Sequence, residues 1–497
     1  MRDLLTDPLC REEDLGSPIP DTHFGVSVCL PKWRHVIGYE EKDPEVVKHF
    51  RSGYPRFCCP PAIGALFEAA ERELAEAGER CLVFPRESHA RRCLEFLAKQ
   101  LGESVGRVVV WREEGFGVAV FPGQVYDVAR KFWRFCGEVV STRQAVSALK
   151  GSSAAEDQAK GRVASRVICD RLAGLSGQEP EDVFLFPSGM AANFAVHRMI
   201  TALRPGCRTV QLDFPYVDVL KLQEVFGSGV HFLPLRSQSD YEAVFRPLLK
   251  TEALAGVFAE APSNPLLRCV DLPMVRAMMD AEQSEVPLVV DDTIATVVNV
   301  DAFRFADVVT TSLTKAFSGV GDVLAGCVIL NRASRFHEAF SAFLASEADH
   351  ELWSGDAVAL EANSRDFEQR VRVMSGNAAG LVEFFGAHPL VQQVCYSHRD
   401  GGIGYESIRR DGGGYGGLFS FVLRDAERVS PGYYDRLKVS KGPSLGTNFT
   451  LACPYTLLAH YDELEWAESC GVDRFLIRVS AGLEPISDLV GRFDCFE

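Results

Sequence analysis

The sequence predicts an α/β protein: a large domain built on a mostly parallel sheet, followed by a smaller C-terminal α+β domain. Three observations carry this. From about residue 161, short apolar runs alternate with helical stretches, the pattern of a parallel sheet with helices on both faces. The runs are VFLF (183–186), TVQL (209–212), GVFAE (256–260), LVVDD (288–292) and DVVTTS (307–312). Past about 331 the chain turns helical and then irregular, and GGYGGLFSFVL (413–423) and FLIRVS (475–480) read as strands of a second sheet. Finally, 497 residues at 47% hydrophobic and 24% charged suffice for two or more packed regions with a sizeable core.

The elements before 161 read differently. Residues 1–23 are polar and Pro-rich, the composition of a loose arm. Residues 24–60, with GYPRFCCPP, suit an extended wrap. Over 61–78, Ile63, Leu66, Phe67 and Ala70 share a helical face that Leu74 and Ala77 continue. CLVF (81–84) and RVVVW (107–111) read as short strands. The small, polar stretch GSSAAEDQAKGR marks an internal boundary before the amphipathic helix GRVASRVICDRLAGL. The expected division is an N-terminal arm and extension (1–160), a large ligand-binding domain (161–340) and a small domain (341–497).

Charge and composition exclude several functions. With 52 basic and 68 acidic residues the net charge is −16, which argues against a nucleic-acid backbone as partner. No run approaches the roughly 20 apolar residues of a membrane span. The first twenty residues, MRDLLTDPLCREEDLGSPIP, carry charges throughout and lack a signal-peptide core. The 15 cysteines are scattered without metal-type spacing, so reduced thiols in a cytoplasmic protein are expected, and no metal.

Five local patterns carry candidate chemistry, each beside a plainer reading. In SLTKAFSGVGDVLAG (312–326), Lys315 follows an apolar strand and precedes a glycine-rich turn. It is either a solvent-facing strand end or a partly desolvated amine of near-neutral pKa. Ser312 and Thr314 alternate with Leu313 and could face one phosphate. In LVVDDTIAT (288–296), Asp291 ends a buried strand where open α/β sheets place ligands, while Asp292 suits a helix cap. FPSGMAANF (186–194) ends a strand and opens a helix whose N–H groups at Gly189 and Met190 could bind phosphate, or merely be capped. Asn264, in EAPSNPLLRCVDLP, sits in a stiff loop that is a plain turn or a held amide. Arg478 lies in an apolar strand, where it needs an internal carboxylate or a ligand's.

In order and spacing, SGMAA, PSNP, VDDT, SLTK and a late R-x-S-x-G-L-E resemble the Cys/Met-metabolism family of pyridoxal-phosphate enzymes over roughly 161–490. The N-terminal part, with GVSVCLPKWRHVIGYEEKDP and GYPRF, and the segment SLGTNFTLACPYTLLAHYDELEWA (444–467) are similar to the longer fungal cystathionine γ-synthase branch. The resemblance implies an aspartate-aminotransferase-like (type I) fold, pyridoxal 5′-phosphate as cofactor, and a homodimer or homotetramer. It makes Lys315 the Schiff-base lysine and Asp291 the partner of the pyridine nitrogen. Gly189, Met190, Ser312 and Thr314 become the phosphate cradle. Tyr216, a core aromatic on local grounds, becomes the ring-stacking and catalytic tyrosine. Asn264, Arg478 and Ser444 become the grip on the substrate carboxylate. Two departures stand out. The usual asparagine after the cofactor aspartate is Asp292, and the Y-S-R-x-x-N-P-T segment, by which a neighbouring subunit reaches the phosphate, is missing. Arg143, in STRQA, is the first candidate for its arginine; Tyr54 and Arg56, in GYPRF, are the second.

The implied activity is γ-replacement on an O-acyl-L-homoserine, an amino-acid substrate, with cysteine as nucleophile in a cystathionine γ-synthase. A secondary-metabolism enzyme using a carbon or amine nucleophile is the alternative. A cofactor-less structural or regulatory relative is the non-enzyme reading, which the presence of Lys315, Asp291 and Arg478 opposes.

Overall fold

The computed structural model describes residues 2–151, 155–234, 237–282, 284–347 and 351–496. A short antiparallel pair, β1 (Pro18–Ile19) and β2 (Ser27–Val28), opens the chain. Next come β3 (Glu79–Phe84), β4 (Arg107–Trp111) and β5 (Phe116–Pro122), an antiparallel sheet in the order β3-β5-β4. The central strand β5, FGVAVFP, is nearly all buried and is the element that completes a small N-terminal module. The expected helix is Pro61–Leu74, which places Ile63, Leu66, Ala69 and Ala70 inward.

The large sheet comprises β6 (Val183–Phe186), β7 (Arg208–Leu212), β8 (Val230–Leu233), β9 (Leu254–Glu260), β10 (Leu288–Asp291), β11 (Val308–Thr311) and β12 (Gly326–Leu330). Its order is β6-β12-β11-β10-β9-β7-β8. The run from β8 to β11 is parallel, and β12 is antiparallel to both its neighbours. Alternation across the pleat sends Val257, Val290 and Val309 into one core and Phe258, Val289 and Val308 into another, so both faces are covered. The C-terminal sheet comprises β13 (Val391–Cys395), β14 (Leu418–Leu423), β15 (Ser440–Lys441), β16 (Leu451–Pro454) and β17 (Ile477–Ser480), in the order β13-β14-β17-β16-β15. The helix Phe367–Ala387 packs on it, with Phe385 stacked on Phe421 at 4.2 Å between ring centres.

Residues 1–23 differ from the expected loose arm. Leu4, Leu9, Ile19 and Cys29 are buried against Phe449 and Leu451 of the C-terminal domain. Buried apolar side chains, spaced too sparsely to show periodicity, tie the arm down. The boundary at 160 falls inside the helix Ala155–Ser176, and that at 340 inside His337–Glu347. Residues 152–154 of the boundary stretch lie outside the described residues. The N-terminal module shares a core with the large domain: Phe84, Phe132 and Trp133 pack with Met190, Phe194 and Leu222. Gly137, at φ 71°, makes the closest approach, since a Cβ there would lie 2.5 Å from Met190 Cβ. This docking sets the module beside the C-terminal ends of β10 and β11, where parallel sheets place their ligands.

Candidate active site

Lys315 lies just past β11. The strand ends at Thr311, and the chain turns so that the Lys315 N–H donates to Ser312 O at 3.2 Å. Ser312 and Thr314 therefore do not share a strand face, as alternation suggests. Ser312 lies against Gly189, while the Thr314 hydroxyl donates to Ala325 O at 3.2 Å and accepts from its N–H at 3.0 Å. Lys315 Nζ donates to Ser444 Oγ at 3.3 Å and sits 5.5 Å from the Tyr54 ring centre. Burial, then the positive charges of Arg478 and Arg56, bring its pKa down to about 7.

Asp291 ends β10, in register with Glu260 of β9 and Thr310 of β11. Its Oδ1 accepts from Thr293 N–H at 3.0 Å and its Oδ2 from Asn193 Nδ2 at 3.2 Å. The Thr310 hydroxyl donates to Asn193 Oδ1 at 3.1 Å, which fixes that amide. Burial raises the Asp291 pKa and these donors oppose it. Asp292 is no cap: its carboxyl takes a hydrogen bond from Thr311, and burial pushes its pKa up to about 7.

The Ser188 side chain caps the helix Gly189–Leu203, accepting from Ala191 N–H at 3.1 Å and donating to Gly137 O at 2.7 Å. The early N–H groups at Gly189 and Met190 have no carbonyl one turn back. A Cβ on Gly189 would stand 2.7 Å from Ser312 Cβ, so the glycine keeps this cradle open.

Arg478, on β17, donates through Nη1 to Asn264 Oδ1 at 3.1 Å and through Nη2 to Pro443 O at 2.6 Å and Ser444 O at 3.2 Å. An amide and two carbonyls orient it, leaving its charge for a ligand carboxylate. Asn264 Nδ2 donates to Tyr455 Oη at 3.2 Å, and the Tyr455 ring lies 4.6 Å from Arg478 Cζ. Glu260 Oε2 accepts from the N–H groups of Tyr216 at 2.8 Å and Asn264 at 3.3 Å, tying two loops together. Burial, then Asp291, raises its pKa far above the carboxylate range.

Arg143 stands apart from this group. It donates to Asp356 Oδ1 at 2.8 Å and Asp322 Oδ2 at 3.0 Å, so two carboxylates already compensate its charge. Tyr54 and Arg56 come to the site instead. The Arg56 guanidinium donates to Asp218 Oδ2 at 2.6 Å, Tyr216 Oη at 3.1 Å and Arg134 O at 2.9 Å, and its buried Nε has no hydrogen-bond partner. The Tyr216 hydroxyl donates to Asp218 at 3.2 Å. Tyr54, Tyr216, Asp291, Ser312 and Lys315 keep partial exposure while Arg56, Asn264, Ser444 and Arg478 behind them are buried, as in a lined cleft.

Sequence motifs alone do not single out Asn193, Asp218, Glu260 and Tyr455, although Asn193, Glu260 and Tyr455 lie inside motifs named above. Asn193 is one helical turn past Gly189, on its face, and Glu260 directly precedes the Asn264 loop, so both had a positional signal. Asp218 and Tyr455 had none beyond their neighbours.

Residues 160–495 match the family described as Cys/Met metabolism PLP-dependent enzyme. The chain belongs to that family. Residues 62–141 match the fungal trans-sulfuration enzyme, N-terminal domain, which is the small module. Among curated relatives, a cystathionine gamma-synthase of Neurospora crassa is 32% identical over 97% of this chain and 97% of its own. An L-2-amino-4-chloropent-4-enoate dechlorinase/desaturase of Streptantibioticus cattleyicolor is 32% identical over 94% of this chain and 95% of its own. The solved structure of a cystathionine gamma lyase from Micromonospora echinospora is 28% identical, with TM-score 0.56, over 66% of this chain and 85% of its own. The protein is thus a PLP-dependent enzyme of the cystathionine gamma-synthase-like kind. The site suits that cofactor: a lysine amine near neutrality, a cradle held open by Gly189, and an unpartnered Arg56 Nε. No helix among the described residues is long and apolar enough to cross a membrane.

Proposed function

We propose that the protein replaces the γ-acyloxy group of an O-acyl-L-homoserine, foremost O-acetyl-L-homoserine, with the thiol of cysteine to give L-cystathionine. The observation that carries this is Lys315, a near-neutral amine set between the Arg478–Asn264–Ser444 group and Tyr54. Bound pyridoxal phosphate supplies an electron sink that acidifies Cα and then Cβ of an amino acid. Lys315 would anchor it, Asp291 would face its ring nitrogen, Gly189, Met190, Ser312 and Arg56 would hold its phosphate, with Thr314 behind them, and Tyr216 would flank the ring. Arg478, Asn264 and Ser444 grip the substrate carboxylate and so aim Cα at Lys315. Lys315 Nζ takes the Cα proton, a task its near-neutral pKa allows at physiological pH. Tyr216, a protonated phenol because burial and Asp218 raise its pKa, turns its O–H from Asp218 to donate toward the departing acyl oxygen.

A second reading is replacement by a carbon or amine nucleophile. The Streptantibioticus cattleyicolor relative leaves room for it, since its name records a dechlorination and desaturation rather than cystathionine synthesis at the same 32% identity. Incubation of the protein with O-acetyl-L-homoserine and a panel of cysteine, carbon acids and amines, with product mass spectrometry, tests both. Cystathionine is the expected product. Its absence beside a carbon or nitrogen adduct favours the second reading, and Lys315→Ala abolishes either product. A homodimer or homotetramer in the cytoplasm belongs to this reading; the 15 free cysteines suit a reducing compartment.

A further inference from the structure

Arg370 is a buried cation that no step above uses. It lies in the first turn of the helix Phe367–Ala387, on the C-terminal domain, and is 2% exposed. A guanidinium carries five N–H donors in a rigid fork, and here every one is engaged. Nε donates to Asp366 Oδ1 at 2.6 Å. Nη1 donates to Ala316 O at 2.9 Å and Asn448 Oδ1 at 3.3 Å, and Nη2 to Phe317 O at 2.9 Å and Asn363 O at 3.0 Å. Two of these acceptors are the carbonyls that directly follow Lys315. Gly319, at φ 71°, lets the fork come this close, since a Cβ there would stand 2.0 Å from Nη1. Asn448 belongs to the segment that begins at Ser444, and its own N–H donates to Gly319 O at 2.6 Å. Midway along that segment Gly446, at φ 72°, lies against the Lys315 peptide: a Cβ there would stand 2.4 Å from Ala316 N. Gly446 N–H donates to Ser480 Oγ at 2.7 Å, two residues past Arg478 on β17. One guanidinium therefore holds both the Lys315 turn and the segment that lines the carboxylate grip. Charge compensation does not explain this arrangement. The one carboxylate on Arg370, Asp366, is 61% exposed and takes one bond of the five.

We infer that Arg370 is a positioning residue for proton transfer at Cα: it fixes Lys315 Nζ relative to the Arg478–Asn264–Ser444 group. With all its donors spent, Arg370 acts through the turn and not on the substrate. Lysine carries its amine on a flexible four-carbon stem, so the aim of Nζ depends on how firmly the backbone beneath it is held. A displacement of about 1 Å between reacting groups costs about a hundredfold in rate. This role rests on the proposed use of Lys315 at Cα and of Arg478 at the carboxylate.

The test needs no nucleophile. Full-length protein loaded with pyridoxal 5′-phosphate is incubated in D2O with L-norvaline, which has the donor's chain without a leaving group. Proton NMR follows replacement of the Cα hydrogen. Arg370→Lys keeps the positive charge but cannot serve the fork. Its Cα exchange at saturating norvaline falls about ten- to hundredfold, while the half-saturating concentration stays within about threefold of wild type. A second readout uses cofactor-free protein and hydrogen exchange by mass spectrometry over residues 313–320. The Ser318 N–H on Leu313 O at 3.0 Å and the Gly319 N–H on Lys315 O at 2.9 Å close the turn, and both exchange faster in the variant. Unchanged Cα exchange in Arg370→Lys overturns the inference. So does a loss confined to the half-saturating concentration, or a turn as protected as in wild type. Wild-type protein that is inert toward the Cα hydrogen refutes the assignment of Lys315, and the role of Arg370 falls with it. If Arg370→Lys does not fold, Asn448→Ala, which removes one acceptor at a half-buried position, gives the same split with a fall of at least about threefold. No fall in that variant overturns the inference equally.

Discussion

In the cofactor-free protein, the Lys315 amine is expected to react as a base at neutral pH. An ordinary lysine titrates near 10.4, so at pH 7 about one amine in 2,500 is neutral. Burial and the guanidinium groups of Arg478 and Arg56 bring Lys315 to about 7, where about half is neutral. The gain in reactive amine is therefore about a thousandfold. Trace acetylation across pH 6–10, quantified by mass spectrometry of the Lys315 peptide, reads this directly. The perturbation is Arg478→Gln, which removes the positive charge that lowers the Lys315 pKa more of the two and moves the midpoint upward. Stability follows with a defined sign. Between about 7 and 10.4 the unfolded chain holds a proton that folded Lys315 has shed, so stability rises with pH across that window. The slope from this group is at most about 1.4 kcal/mol per pH unit, and Lys315→Met flattens it. A labelling midpoint above about 9.5 in the wild type, indistinguishable from surface lysines, refutes the reasoning.

Three other outcomes follow from the geometry. Asp292→Asn resembles the protonated carboxyl. Folded Asp292 holds its proton up to about pH 7 while the unfolded chain loses it near 4, so wild-type stability falls as pH rises through that window. Urea midpoints of the variant match wild type near pH 4.5 and exceed it at pH 8; equal pH slopes would sink the assignment. Gly189→Ala forces a Cβ to 2.7 Å from Ser312 Cβ, costing about 1–3 kcal/mol of stability and closing the cradle. Calorimetry and cofactor titration should both register it. Tyr455→Phe deprives Asn264 Nδ2 of its acceptor, at about 1–3 kcal/mol, and raises KM for the amino-acid donor at least about fivefold with a smaller change in kcat. An unchanged KM would remove Tyr455 from the carboxylate grip.

The large domain was legible because parallel strands buried on both faces announce themselves as apolar runs, and all five runs are strands of the sheet. The residues that meet around Lys315 were legible where strand ends and helix starts bring them together, as for Asp291 and Gly189. What was not legible depends on long-range packing. In one dimension Arg143 ranks ahead of Arg56 as the anion-binding arginine. Only the fold reveals that Asp322 and Asp356 claim the first and that the second reaches Tyr216. Asp218 reads as an ordinary first-turn helix acid until Arg56, 162 positions away, appears beside it. The arm misled for a related reason: Leu4, Leu9 and Ile19 have no period, yet the C-terminal domain buries each of them.

The same arm constrains how the protein is made. Leu30 N–H donates to Lys441 O, and Lys441 Nζ donates to Pro31 O across a separation of 410 residues. At about 5–20 residues per second, the ribosome needs about 20–80 s to produce the lysine after the proline. Throughout that interval Phe449 and Leu451, which bury Leu4, Leu9 and Ile19, do not yet exist, so these three side chains stay exposed to aggregation or to chaperones. Docking of the arm is thus a late event that follows release, and a nonsense truncation before β15 leaves an apolar leader permanently unsheltered.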